Sequence, residues 1–287
     1  MSESNPLALA GALTGQVAIV TGGGGGIGRG IALALAGAGA DVVIADIVPE
    51  RCDEVAERVR ELGREALPVP TDVMDSEALR AMIAKADAAF GRIDILVNNA
   101  GGGTYRAFLD QSERSWRRHI DINLMSVLIG TATAVPIMIR GGRGGSVINV
   151  SSIEGSRAAP NYAIAAACKA AVNNFTRSAA LEFADHGIRV NAIAPDEVVT
   201  PGIFNTFLPQ GERAENVGPS EEHTVAAMKR LPIQRYGTEE DCAKAALFLA
   251  SGLADYVTGI VLPVDGGAFA SSGWLRDRQG KWVLAEA

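Results

Sequence analysis

Along this chain, short and mostly apolar runs alternate with longer segments in which apolar residues recur every three or four positions. The runs are Val17–Val20, Val42–Ala45, Ala66–Val69, Ile93–Val97, Ser146–Val150, Arg189–Ala194 and Ile260–Val264. Rich in Val, Ile and Ala and bounded by turn residues, they suit strands buried on both faces. Between them lie helical patterns. Ile27, Ile31 and Leu35 recur with Ala34 and Ala38 alongside. Further helices are expected from Pro49 to Gly63, from a cap at Asp75 or Ser76 to Phe90-Gly91, from Ser112 to Arg140, from Asn161 to Phe183 and from Thr238 to Leu249. Such alternation predicts an α/β fold: a single Rossmann-type, doubly wound parallel sheet of about seven strands with helices on both faces.

The first strand ends at Thr21 and runs into five glycines, Gly22 to Gly26, then Ile27 and Gly28. A strand, a glycine turn and a helix in that order form a phosphate-binding arrangement. The unpaired N–H groups and the positive dipole end of the helix face whatever the turn admits, and a Cβ there would block close approach of a diphosphate. The second strand ends in Asp46, about 20 residues further on. An acid there can accept both hydrogen bonds from an adenosine ribose and would repel a 2′-phosphate, which favours NAD over NADP.

The 287 residues, 48% hydrophobic and 21% charged, suffice for one large core. We expect an N-terminal tail over 1–14, one domain over 15–267 and a C-terminal tail over 268–287 whose Trp274 and Trp282 dock onto a neighbour. Net charge is −7 with no basic block, which argues against a nucleic-acid or anionic-membrane surface and for small-molecule chemistry. The N-terminus lacks the basic n-region of a signal peptide. Residues 122–139 carry no charge, but Asn123, Ser126, Thr131, Thr133 and Pro136 interrupt them, so a buried helix or subunit interface is expected rather than a membrane span. Cys52, Cys168 and Cys242 are widely spaced and read as reduced, packed thiols of a cytoplasmic protein. His119, His186 and His223 are scattered without metal-ligand spacing. Gly141-Gly142-Arg143-Gly144-Gly145 follows a helix and precedes a strand, the wrong end of a sheet for phosphate, and reads as a plain turn. The stretch 196–236, with Pro201, Ile203, Phe204, Phe207, Leu208 and Pro209, is either a lid over a ligand or a peripheral helical pair.

Several motifs in order resemble those of the short-chain dehydrogenase/reductase family, over Gly15 to Gly267. Thr21-Gly22-x-x-x-Gly26-x-Gly28 is similar to its cofactor turn, Asn98-Asn99-Ala100-Gly101 to the motif after its fourth strand, and Ile148-Asn149-Val150-Ser151-Ser152 to its catalytic serine segment. The resemblance implies hydride transfer between the nicotinamide C4 and an alcohol or carbonyl carbon. It implies that Ser152 hydrogen-bonds the substrate oxygen, that Lys169 binds the nicotinamide ribose and lowers the pKa of a catalytic tyrosine, and that Asn123 holds a water in the proton relay. It also places Gly22, Gly26, Ile27 and Gly28 at the diphosphate, Asp72 and Val73 at the adenine, and Asn99 and Gly101 at the ribose. Pro195, Val198 and Thr200 fall on the nicotinamide carboxamide side. Pairing of the two long helices across a two-fold implies a homotetramer or homodimer.

The family's tyrosine lies thirteen residues after its serine and four before its lysine, at position 165. This chain has Ala165. Tyr162 is a poor substitute, since in a helix seven residues rise about 10 Å where four rise about 6 Å; it is expected to be a pocket wall or ordinary packing. We read Ala165 as an engineered replacement that disables turnover, against a naturally degenerate site or one with another base. A second departure is Pro195-Asp196-Glu197, where the family usually has glycine after the proline; the two acids are expected to be solvated lid charges rather than substrate contacts. The expected activity is NAD(H)-dependent oxidation or reduction of a mainly hydrophobic secondary alcohol or ketone, weakened by Ala165. Its rivals are a non-catalytic NAD-binding sensor or scaffold and an NADP-dependent 3-oxoacyl-thioester reductase, for which Arg29 would be the 2′-phosphate ligand.

Overall fold

The computed structural model describes residues 9, 11–200 and 220–284. Seven parallel strands form its sheet: β1 Val17–Thr21, β2 Asp41–Asp46, β3 Ala66–Pro70, β4 Ile95–Asn98, β5 Gly145–Val150, β6 Ile188–Pro195 and β7 Val261–Val264. They lie in the order β3-β2-β1-β4-β5-β6-β7. The chain leaves β1 in one direction for β2 and β3 and in the other for β4 to β7. A crevice therefore opens where the order reverses, above the C-terminal ends of β1 and β4. Register sets Val20 beside both Ile44 and Val97, so Thr21, Asp46 and Asn98 end at that edge together.

Alternation along the strands feeds two cores. Ala18, Val20, Val42, Ile44, Ile95 and Val97 face one side, under α1 (Gly26–Gly37), α2 (Pro49–Glu61) and α8 (Glu239–Ala250). Val17, Ile19, Val43, Leu96 and Val147 face the other, under α3 (Ser76–Phe90), α5 (Ser126–Gly141) and α6 (Ala163–Glu182). The fold is thus the seven-stranded, doubly wound α/β architecture that the pattern implies. Asp75 caps α3 by accepting from the N–H groups of Glu77 and Ala78, and Thr238 with Asp241 forms a reciprocal capping box on α8. Cys52, Cys168 and Cys242 are buried and unbridged.

Four local expectations change. Strand β4 begins at Ile95 rather than Ile93, because the Asp94 carboxylate takes the Val17 N–H at 2.9 Å and a two-pronged contact from Arg92 at 2.7 Å. The long helix expected from Ser112 is α4 (Glu113–Ile120), a π-helical turn over Asp121–Met125 and then α5. By length and composition this 113–141 helix is apolar enough to cross a membrane, yet Val127, Thr131, Ala134, Val135 and Met138 bury one face of it on the sheet. Helix α6 begins at Ala163, not Asn161, whose φ of 66° lies in the left-handed region. The 196–236 stretch contains α7 (Glu221–Arg230), while Pro201 to Pro209 lie outside the described residues.

The tail is also more ordered than its sequence pattern implies. A short helix α9 (Ala268–Ser271) leads into an antiparallel hairpin of β8 (Trp274–Arg276) and β9 (Trp282–Leu284), with the Arg276 guanidinium 4.4 Å over the Trp282 ring.

Candidate active site

The turn between β1 and α1 is built to approach a ligand closely. No side chain caps α1 at Gly25, so its first N–H groups are left without a side-chain acceptor at the cap. At Gly28 an added Cβ would lie 2.1 Å from the Gly22 carbonyl oxygen, so only glycine lets the helix start this near the strand. Gly26 has φ +49°, and a Cβ there would stand 3.1 Å from Thr200 Cγ2, which places Thr200 over the turn. The Asn99 side chain donates to the carbonyls of Thr21 and Gly22 at 2.9 and 3.2 Å, tying the end of β4 to the turn.

At the end of β2, Asp46 accepts from the Gly24 N–H and the Val48 N–H, both at 3.1 Å. Each carboxylate oxygen keeps a lone pair for a ribose hydroxyl. Arg51 lies beside it: its Cβ would be 2.7 Å from a Cβ on Gly24. No spacing rule exposes that residue, which the sequence reading missed. Arg29, the alternative phosphate ligand, is instead paired with Glu239 at 3.0 Å and Glu54 at 3.8 Å. Asp72 accepts the Met74 N–H two residues on, and the Val73 side chain is buried in the second core. Only backbone from Val73 is left to face an adenine.

The second half of the site gathers around β5 and α6. Ser152 Oγ accepts the Glu154 N–H at 3.1 Å and lies 3.5 Å from the Pro195 carbonyl. Ser151, one residue earlier, is buried and points to Asn173 at 2.6 Å. The two serines are therefore separated by direction, and Ser152 is the one on the crevice side. Lys169 Nζ donates to the Val150 carbonyl at 2.7 Å and lies 3.3 Å from where a Cβ on Gly101 would be. Burial lowers its pKa to about 8. Asn123, in the π turn, accepts the Gly102 N–H at 3.1 Å and donates to the carbonyls of Gly102 and His119 at 2.8 and 3.0 Å. Both of its amide hydrogens are engaged, so its side chain holds the 101–102 backbone beside Lys169.

Ala165 and the ring of Tyr162 face the same point: a Cβ on Gly103 would sit 3.3 Å from Tyr162 Cε1 and 3.6 Å from Ala165 Cβ. Tyr162 precedes α6 rather than lying within it, so helical rise does not describe its position. Its ring packs at 5.3 Å and 60° against that of Tyr105, and burial raises its phenol to about 12. By position its ring stands as a wall beside Ala165.

Asp196 and Glu197 are not solvated charges. Asp196 lies 3.5 Å from Arg157, which also binds Glu154 at 2.8 Å, and Glu197 pairs with Arg230. Burial first, then the neighbouring Glu197, raises the Asp196 pKa to about 6 against the opposing pull of Arg157 and Arg230. The polypeptide folds this way because α7 returns Arg230 to the segment just after β6. Val198 forms a bridge with Gly237 through the Glu197 carbonyl and the Val199 N–H, which leaves its own amide groups outside that bridge. Among the described residues, no cluster of three or more His, Cys, Asp or Glu could hold a metal.

Known proteins resemble this chain over most of their length. Residues 22–268 match the family model described as enoyl-(acyl carrier protein) reductase. The chain is 42% identical over 257 residues to cis-4-hydroxycyclohexanecarboxylate dehydrogenase of Sinomonas cyclohexanicum, covering 89% of this chain and 97% of that one. It is 36% identical to a 3-oxoacyl-acyl-carrier-protein reductase of Thermotoga maritima, covering 89% and 98%. Carveol dehydrogenase from Mycobacterium avium, solved in complex with NAD, superposes with a TM-score of 0.82 at 35% identity, covering 91% of this chain and all of that one. On this combination of motifs, sheet order and relatives, the chain belongs to the short-chain dehydrogenase/reductase family.

Proposed function

We propose that the protein is an NAD(H)-dependent oxidoreductase of a hydrophobic, ring-bearing secondary alcohol or ketone, impaired in this form by Ala165. The observation that carries the reading is the convergence of Ser152, Lys169 and Gly101 on one crevice with Asp46 at its far end, around a position where only a methyl group stands. The relatives that act on a hydroxycyclohexane carboxylate and on carveol support a cyclic substrate.

The residues present fit a dinucleotide: the uncapped helix end and the Gly22, Gly26, Ile27, Gly28 turn would hold a diphosphate, and Asp46 an unphosphorylated ribose. Asp72 and Val73 would border the adenine, Asn99, Gly101 and Lys169 the second ribose, and Pro195, Val198 and Thr200 the carboxamide. The bound nicotinamide supplies the hydride or receives it. Ser152 would turn its hydroxyl from the distant Pro195 carbonyl to the substrate oxygen while still accepting from Glu154. Lys169 keeps two donors beyond Val150 for ribose hydroxyls. Asn123 would serve a relay only through the second lone pair of Oδ1. No side chain at 165 takes or gives the alcohol proton, and loss of a positioned acid or base lowers rates about 10²- to 10⁴-fold.

We further propose a domain over 15–267, a lid within 196–236, a cytoplasmic location and a homotetramer or homodimer through the exposed faces of α5 and α6. The partly exposed Met125 and Ile139 of the 113–141 helix favour such an interface. A 3-oxoacyl-thioester reductase using NADP is the second reading, favoured by Arg51 beside Asp46 and by the Thermotoga relative.

NADH fluorescence titration of this protein and of Ala165→Tyr, followed by assay of both with NAD and cyclic secondary alcohols, tests the proposal. NADH binding by both and turnover by the tyrosine form alone is the expected result. Binding by both without turnover by either would favour the non-catalytic reading.

A further inference from the structure

Among the described residues the segment after β4 pairs with no strand, yet its backbone is held in place. Gly102 is bound through both N–H and C=O by Asn123, the Thr104 N–H donates to His119 Nε2 at 3.1 Å, and the Arg106 N–H donates to the Asn161 carbonyl at 2.9 Å. Alternate residues are thus anchored through their backbone. Two residues lie between these anchors. Gly103 and Tyr105 are those residues, and both meet the ring of Tyr162.

His119 is the central anchor, and its chemistry there is fixed by its partners. A backbone N–H only donates, so Nε2 carries a lone pair and the ring proton is on Nδ1. Nδ1 faces the Ser115 carbonyl at 2.7 Å, which only accepts. Both ring nitrogens are therefore satisfied in one tautomer alone, on a residue 5% exposed. The His119 carbonyl accepts from Asn123 Nδ2 and, at 3.6 Å, from Cys168 Sγ on α6. One residue thus joins the 102–106 segment, the π turn and the helix that carries Ala165 and Lys169.

We propose that His119 is a positioning residue: as the Nδ1–H tautomer it clasps Thr104 and so sets the Gly103–Tyr105 wall that meets Tyr162 beside position 165. It shapes the substrate side of the crevice without touching the reacting atoms. The clasp is a property of the ligand-free chain; only its consequence for substrate rests on the proposed function.

Two measurements test it on the full-length protein. Nitrogen-15 NMR of the labelled imidazole should report the Nδ1–H tautomer at neutral pH, and an Nε2–H tautomer would overturn the proposal. Amide hydrogen exchange at Thr104 should accelerate about tenfold in His119→Phe, which keeps the ring's bulk without an acceptor. In His119→Gln, whose amide oxygen reaches about as far as Nε2, exchange should stay close to the parent rate. Equal exchange in the parent and the Phe variant would mean that His119 only fills space, and would overturn the proposal. The tautomer measurement needs no variant, so the proposal stays exposed to refutation even if His119→Phe does not fold. NADH titration of the parent is read separately: absence of binding would sink the dehydrogenase reading and leave the clasp to be judged by exchange alone.

Discussion

Lys169 donates to the Val150 carbonyl at 2.7 Å, and this contact joins the middle of α6 to the C-terminal end of β5. Burial brings the ammonium's pKa down from 10.5 to about 8. A depressed lysine pKa means that the folded protein binds its proton less tightly than the unfolded chain does. The resulting destabilisation is fully present below pH 8 and is relieved as pH rises toward 10.5. In Lys169→Met that titration is absent, so the variant's melting-temperature advantage over the parent should shrink from pH 7 to pH 10. Its NADH affinity should fall at pH 7. A constant difference in melting temperature across that range would refute the assignment of the shift.

Asp196 carries the opposite linkage. Its folded-state pKa, about 6, is above the 3.8 usual for an aspartate. Stability contributed by the neutral carboxyl is complete below pH 3.8 and is lost as pH rises through about 6. Asp196→Asn mimics the neutral form. Its melting temperature relative to the parent should therefore improve from pH 5 to pH 8, and a trend in the reverse direction would show that the ion pair with Arg157 outweighs burial.

Asp46 is the proposed determinant of the choice of dinucleotide. Asp46→Ala removes the acceptor for Gly24, Val48 and the ribose, and affinity for NADH should fall by about tenfold or more. Affinity for NADPH should rise relative to NADH, since the repelled 2′-phosphate would then meet Arg51 without a carboxylate. Parallel titration with the two reduced cofactors measures the ratio; an unchanged ratio would remove Asp46 as the determinant.

Gly28→Ala places a methyl group where the Gly22 oxygen already stands at 2.1 Å. Relief of that overlap must move the helix from the turn, at about 1–3 kcal/mol of stability. Thermal melts with and without NADH should show a lower transition and a smaller upward shift by ligand. A parental response to ligand would mean that the turn relaxes without harm.

Much of this was legible in the sequence, for a physical reason. The buried strands, the capped helices and the Gly22–Asp46 unit are set by periodicity and by spacing within about 30 residues, which a linear reading can see. The contacts it did not see join distant positions. Arg157 meets Asp196 only once β6 returns alongside β5, and Arg230 meets Glu197 only through the fold of α7. His119 looked like one of three unrelated histidines until the segment after β4 folded back to place Thr104 against its ring. The π turn at Asp121–Met125 leaves the same hydrophobic rhythm as an unbroken helix, and the tail hairpin was obscured by strands of only three residues each. The departure at Ala165 was visible through the resemblance to the family, because the serine, tyrosine and lysine positions it implies lie on one continuous stretch.

The closeness of α1 to α8 has a consequence for how the molecule can be divided. Gly30 leaves room for Glu239 where a Cβ would be 3.0 Å away, and Arg29 reaches the carboxylate of that same residue. The helix that would receive the diphosphate is thus walled by a segment made some 210 residues later. A nascent chain that has completed β1, α1 and β2 holds every residue of the glycine turn but not its cover. Cofactor recognition should therefore emerge late in synthesis, when α8 closes over α1, and an amino-terminal half made alone should be a sticky fragment rather than a small nucleotide-binding module.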